Sequence, residues 1–156
     1  MPWLMRIEPL VRPLFRVYAR ATRGLTLGVR GLVVDDEGRV LLIEHTYVPG
    51  WHLPGGGVER GETAHAALAR ELVEEAGVEM IGPARLVSVH DNHARFRGDH
   101  VLLYRIGDWR AVAATSRGEI ARIGWFAPGD LPPETTGPTR QRIAEALDGA
   151  DTDLRW

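Results

Sequence analysis

An α/β domain, with helices flanking a sheet, is the fold this sequence predicts. Three observations lead there. Short apolar runs bounded by turn residues recur along the chain. Two segments, Thr63 to Ala76 and Pro138 to Leu147, carry helical patterns instead. A length of 156 residues with 44% hydrophobic content is enough for the core of one domain.

In chain order, Pro9 to Arg23 places Leu10, Leu14, Val17 and Tyr18 at helical spacing, with Arg12, Arg16 and Arg20 at i+4 intervals. Such a basic amphipathic helix can lie on a membrane or a partner protein. The expectation is that it packs on the domain, or on a second subunit in a homodimer. Residues 1–24 are therefore read as a helical extension, 25–147 as the domain and 148–156 as a tail. Leu25 to Val34 and Arg39 to His45 read as strands joined by the acidic turn Asp35-Asp36-Glu37-Gly38, a solvated hairpin tip rather than a calcium loop. Leu86 to Asn92, Asp99 to Ile106 and Arg122 to Phe126 supply further strands, and Pro138 to Leu147 a closing helix. No internal repeat or low-complexity segment stands out.

The central helix carries the chemistry. Thr63 to Ala76 is rich in Ala, Leu, Glu and Arg, lacks Gly and Pro, and stops at Gly77, with Thr63 as a passable N-cap. At 100° per residue, Leu68, Leu72, Ala76, Ala69 and Val73 fall within an apolar arc of about 140°. Glu71, Glu74 and Glu75 fall in a separate arc of about 100°. Three carboxylates at i, i+3 and i+4 repel one another by a few tenths of a kcal/mol per pair, which one Arg70–Glu74 pair relieves only in part. Crowding raises their pKa values unless a cation sits among them. Hard divalent cations such as Mg²⁺ and Mn²⁺ choose carboxylate oxygens and carry phosphate substrates. An acidic helix face alone is more often merely solvated. Here it follows the loop Leu53 to Glu62, which holds four glycines in ten residues and can approach a ligand closely.

Together these residues make one motif. Gly56, Glu62, Arg70, Glu71, Glu74, Glu75 and Gly77, with apolar Leu72 and Val78, match the pattern Gly-x5-Glu-x7-Arg-Glu-apolar-x-Glu-Glu-x-Gly-apolar without a substitution. At background frequencies of roughly 5–7% per fixed residue, a chance match is roughly one in 10⁸ starting positions or rarer. The segment resembles the signature of the Nudix hydrolases, and the resemblance spans roughly residues 25–147.

That resemblance implies an α/β/α sandwich with a mixed sheet and a loop-helix-loop active site. It implies that Glu74 and Glu75 bind Mg²⁺ or Mn²⁺, that Glu71 is a ligand or helps activate water, and that Arg70 orients these carboxylates. Glu62 supports the motif, and the Gly55 carbonyl joins the metal shell. Glu119, on a loop six residues before Trp125, resembles a further family glutamate and is a candidate metal ligand or general base. Gly56, Gly57, Trp51 and Phe96 are candidate substrate contacts, although Trp51 could equally be a buried packing residue. The implied reaction is hydrolysis of a nucleoside diphosphate linked to another group, by attack of metal-held or glutamate-activated water on phosphorus.

The flanks narrow the function. Net charge of −2 gives no electrostatic footprint for non-specific nucleic-acid binding. All 19 basic residues are Arg, which reads as compositional bias. There is no Cys, so disulfides, thiolate metal sites and Cys nucleophiles are excluded. No long apolar run or signal-peptide region interrupts the expectation of a cytoplasmic protein. His90, His93 and His100 read as loop or strand-edge histidines that could touch phosphate. Arg95 and Arg97 could clamp an anion.

Substrate markers of the family point away from some members. ADP-ribose-cleaving enzymes commonly carry a Pro where Ala94 stands, and the SQPWPxS array of NADH-cleaving members is absent. Dinucleoside polyphosphate hydrolases often carry a Tyr near the position of Phe96, which lacks the hydroxyl. A nucleoside triphosphate or similar small nucleotide is the default. Isopentenyl diphosphate isomerase shares the fold but uses a catalytic Cys. Nudix-like regulators add a DNA-binding domain, for which the sequence after residue 147 leaves no room. An enzyme is therefore expected over a binding-only module.

Overall fold

The computed structural model describes residues 24–116 and 118–156. The helix expected over Pro9 to Arg23 lies outside the described residues. Strands β1 (Thr26–Val33), β2 (Val40–His45) and β3 (Trp51–His52) precede helix α1 (Ala64–Ala76). Then come β4 (Val78–Met80), β5 (Arg85–Asp91), β6 (Asp99–Ile106), β7 (Trp109–Ala111), β8 (Ile120–Phe126) and α2 (Gly137–Leu147).

The strands form a mixed sheet in the order β1-β6-β5, an antiparallel sheet β3-β2-β8 and a small antiparallel pair β4-β7. β1 runs parallel to β6, with Thr26 opposite Asp99 and Val33 opposite Ile106, while β5 runs antiparallel to β6. The acidic turn is a hairpin tip as expected: Asp35 N–H donates to the Arg39 carbonyl (3.0 Å), and the Asp35 carboxylate accepts from Arg39 Nε (2.8 Å). Beyond the Val34–Val40 bridge the two strands diverge into different sheets.

Alternation along β1 and β2 builds two cores, one on each face. Val29, Val33 and Leu41 pack with Leu68 and Leu72 of α1, whereas Leu32, Val40 and Leu42 pack with Ile143 of α2. This two-faced burial is the physical content of the α/β/α sandwich. Trp51 belongs to the second core, buried edge-on against Phe126 with ring centroids 4.9 Å apart. The expectation that Trp51 contacts substrate is corrected accordingly: packing against Phe126 keeps the indole in the core, 5% exposed. Among the described residues, no helix is long and apolar enough to cross a membrane.

Helix α1 starts and stops where its residues demand. Thr63 Oγ accepts from the Ala66 N–H at 3.1 Å, and Gly77 takes the left-handed conformation (φ 62°) that ends the helix. Three short strands escape periodicity. β3, β4 and β7 have two or three residues each, too few for an alternating pattern, and exist only through their pairing partners.

Candidate functional site

The glycine loop is tied to the free edge of β1. Gly31 N–H donates to the Pro54 carbonyl (2.8 Å), Val29 N–H to Gly56 (2.9 Å), and Val58 N–H to Leu27 (2.8 Å). This edge pairing brings the loop over the start of the carboxylate arc. Gly55 has φ 141°, and a Cβ there would stand 2.1 Å from the Val29 carbonyl oxygen. Gly56 lies over Glu71, whose Oε1 would be 2.4 Å from an added Cβ.

The apolar and acidic arcs of α1 are not separate as the spacing suggested. The buried residues are Ala67, Leu68, Leu72 and Glu75. Glu75 sits about 60° from Leu72 around the axis, so it enters the core side under the loop. It is 6% exposed, and its Oε2 accepts the Gly55 N–H at 2.8 Å. Burial pushes its carboxyl up to about 7, with Glu71 and Glu119 adding to the rise while the Gly55 N–H and Arg30 oppose it.

Arg70 organises the neighbouring carboxylates. Its Nε and Nη2 grip Glu62 through two bonds of 3.0 Å, Nη1 donates to Glu71 at 2.7 Å, and Glu74 lies 3.5 Å away. Nη2 also donates to the Gly57 carbonyl at 3.2 Å, fastening helix to loop. Glu62 is held below the usual carboxylate range chiefly by Arg70. Glu74 keeps the most exposed side chain of the three helix carboxylates and is free to turn toward a cation. Glu119 is exposed on its loop, and its carbonyl accepts the Thr46 N–H at 2.9 Å, which fixes that loop beside the end of β2.

Three residues of the site escaped sequence reasoning. Arg30 reaches from β1 beneath the loop and donates to the Gly55 and Leu53 carbonyls. Burial lowers its pKa, opposed by Glu75 and Glu71. A charged residue inside the apolar run of β1 was the available signal. His45, at the end of β2, has a side chain 8% exposed, and its Nδ1 lacks a hydrogen-bond partner. That nitrogen lies 3.9 Å from Glu75 Oε1. Burial and the nearby Arg30 lower its pKa. The Tyr47 ring lies 5.1 Å from the His45 ring at a tilt of 35°, and its hydroxyl pKa is pushed up by burial and Glu75.

A cavity of about 990 Å³ opens beside this cluster, lined among others by Arg30, His45, Gly56, Gly57 and Phe96. That volume accommodates a nucleotide-sized ligand. Phe96 is 60% exposed there, with the Arg95 guanidinium 6.0 Å from its ring centre. Arg97 lines the same space. His93 is occupied locally, its Nδ1 accepting the Gly98 N–H. His90 is a fully buried residue, not a loop histidine.

Among the described residues, no three His, Asp or Glu side chains converge as a ready-made metal cage. Glu71 is drawn to Arg70, and Glu75 to the Gly55 N–H. The donor chemistry nonetheless fits a hard divalent cation. The oxygen donors crowd one another, Glu75 carries a charge that burial disfavours, and an unpartnered His45 nitrogen faces it. Gly56→Ala tests how tightly the parts are fitted. Its φ is not positive, and the atom it would strike is the end of a side chain, so the fold should survive. We expect a melting temperature near that of the parent and a kcat lower by about 10²-fold, because Glu71 is displaced. Unchanged kcat would show that the Glu71 position does not matter.

The chain matches the NUDIX domain family over residues 24–147. It is 32% identical over 130 residues to a MutT-like protein of Streptomyces ambofaciens, covering 83% of this chain and 82% of that one. It is 30% identical over 125 residues to a protein of Bacillus subtilis (strain 168) named as a candidate 8-oxo-dGTP diphosphatase, with coverage of 80% and 82%. Among solved structures, a MutT NUDIX hydrolase from Burkholderia pseudomallei superposes with a TM-score of 0.67 at 30% identity, covering 78% of this chain and 98% of that one. With the domain match and these relatives spanning most of its length, the chain belongs to the Nudix hydrolase family.

Proposed function

We propose that this protein is a divalent-metal-dependent pyrophosphohydrolase that cleaves the pyrophosphate linkage of a nucleoside triphosphate or similar small nucleotide. The observation that carries this reading is the glycine loop itself: Gly56 lies against Glu71, the Gly55 N–H holds the buried Glu75, and Gly56 and Gly57 line a nucleotide-sized cavity. Glu71, Glu74 and Glu75, with the Gly55 carbonyl, would hold Mg²⁺ or Mn²⁺. When bound, the metal neutralises pyrophosphate oxygens and makes water a stronger nucleophile.

The chain's own groups do the rest. Arg70 holds Glu62 and Glu71 in place. Arg30 braces the loop from beneath and offsets the summed negative charge. Gly56 and Gly57 leave room for phosphate oxygens against the backbone. Phe96 offers an apolar face to the base. Glu119, exposed beside the cluster, accepts the proton of the attacking water. The B. subtilis relative, by its name, makes an oxidised purine nucleoside triphosphate the first substrate to try.

A nucleotide panel with Mg²⁺ or Mn²⁺, analysed for products in ¹⁸O-water, tests the reaction and locates the attacked phosphorus together. Absence of any metal-dependent release of phosphate or pyrophosphate would overturn the reading. For the general base, Glu119→Gln is expected to slow turnover by about 10²-fold. Turnover equal to the parent's across pH 6–9 removes Glu119 from the site.

A further inference from the structure

Residues 153–156 are docked on the domain by an unusually costly anchor. Asp91 N–H donates to the Leu154 carbonyl (2.7 Å), and Trp156 N–H donates to the Asp91 carbonyl (2.8 Å), so the segment runs parallel to the end of β5. Arg142 of α2, with no exposed surface, donates to the Arg155 carbonyl and to Glu145, both at 2.7 Å. Glu145 in turn accepts the Asp153 N–H at 2.9 Å. His90 Nδ1 pairs with the Asp153 carbonyl at 2.7 Å, and Nε2 with Ser88 at 2.6 Å. Nδ1 also lies 3.0 Å from Arg142 Nη1, and burial with this adjacent guanidinium disfavours the charged form of the ring.

A buried ion pair adds little net stability because desolvation offsets its attraction. What this one does is fix a short segment in one place. The result is that Trp156 is held over Arg142, whose guanidinium is 5.6 Å from the indole centre, and 5.5 Å from the His90 ring. The indole, half-buried, lines the same cavity as Phe96, Arg95 and Asn92. A large aromatic group immobilised at the wall of a nucleotide-sized cavity offers a flat face for a planar ring.

We propose that Trp156 is a specificity-determining residue that stacks on the nucleobase of the substrate, with residues 153–156 and the Arg142–Glu145–His90 anchor serving to position it. This rests on the nucleotide reading above. Trp156→Leu keeps bulk and removes the aromatic face, whereas Trp156→Phe keeps the face.

Binding is measured by calorimetry with α,β-methylene analogues of the four common deoxynucleoside triphosphates and 8-oxo-dGTP itself by steady-state kinetics, with inorganic triphosphate as the base-free probe. Trp156→Leu should weaken the nucleotide analogues about tenfold or more and raise KM similarly with little change in kcat. Inorganic triphosphate should bind as it does to the parent, and Trp156→Phe should restore most of the nucleotide affinity. Equal nucleotide affinity in the parent and Trp156→Leu would overturn the proposal, as would equal losses for nucleotide and inorganic triphosphate. If the parent binds the analogues but hydrolyses no nucleotide, the hydrolase reading fails while the stacking result still stands. If it binds no nucleotide, both fail.

Discussion

Replacing Glu75 with Gln is expected to lower kcat by about 10²-fold or more while leaving the protein folded, and Glu74→Gln should act likewise. Glu75 is buried with one oxygen on the Gly55 N–H. The amide oxygen of Gln can accept that same hydrogen bond, so the loop keeps its anchor. What disappears is the negative charge. A hard divalent cation draws its affinity from carboxylate charge, and a neutral amide is a much poorer ligand. Glu74 is a cleaner case, because among the described residues its side chain is held only by the 3.5 Å contact to Arg70. The parent should require Mg²⁺ or Mn²⁺ for turnover, and the variants should also need higher metal concentration for half-maximal rate. Parental kcat in either variant, or full parental activity in excess chelator, would sink the metal role. Calorimetric titration with Mn²⁺ gives a readout independent of substrate choice.

Gly55→Ala should damage the fold itself, in contrast to Gly56→Ala one residue on. The added Cβ would meet the Val29 carbonyl oxygen at 2.1 Å and the Arg30 Cα at 3.0 Å. Both are backbone atoms of β1, so neither can swing away. The φ of 141° adds strain for any L side chain. Relief requires the loop to leave the β1 edge, breaking the bonds that tie Pro54 and Gly56 to Gly31 and Val29. We expect a loss of about 3 kcal/mol or more, or roughly 10 °C in melting temperature for a domain of this size. Activity should fall with it, since Glu75 loses the Gly55 N–H. A melting temperature within about 2 °C of the parent would show that the loop is not packed as described.

Much of the site was legible because it is local. The spacing Arg70-Glu71-x-x-Glu74-Glu75 determines which side chains share a helix face whatever the surrounding fold. Gly77 marks the helix end because only a residue without Cβ takes its φ cheaply. The long strands declared themselves through short apolar runs bounded by turn residues, and the family motif joined loop to helix in one pattern.

Other features depend on partners far away in sequence. Trp51 stands beside the loop in the chain yet turns into the core against Phe126, a choice made by the packing of β3 and β8. His45 and Arg30 belong to ordinary strand runs, and only the crossing of β1, β2 and α1 aims them at Glu75. The tail of 148–156 carries no pattern that foretells its docking on β5, because the anchor is assembled from Arg142, Glu145 and His90 on two other elements.

By itself, then, the sequence determined the carboxylate helix, its glycine loop and the hydrolase family, since these rest on short-range geometry and residue chemistry. Only the tertiary structure decided which carboxylate is buried, which aromatic groups reach the cavity, and how docking of residues 153–156 brings Trp156 to its wall. Burial and long-range contact are properties of the packed chain, because the low-dielectric interior and the apposed surfaces exist only after distant segments meet.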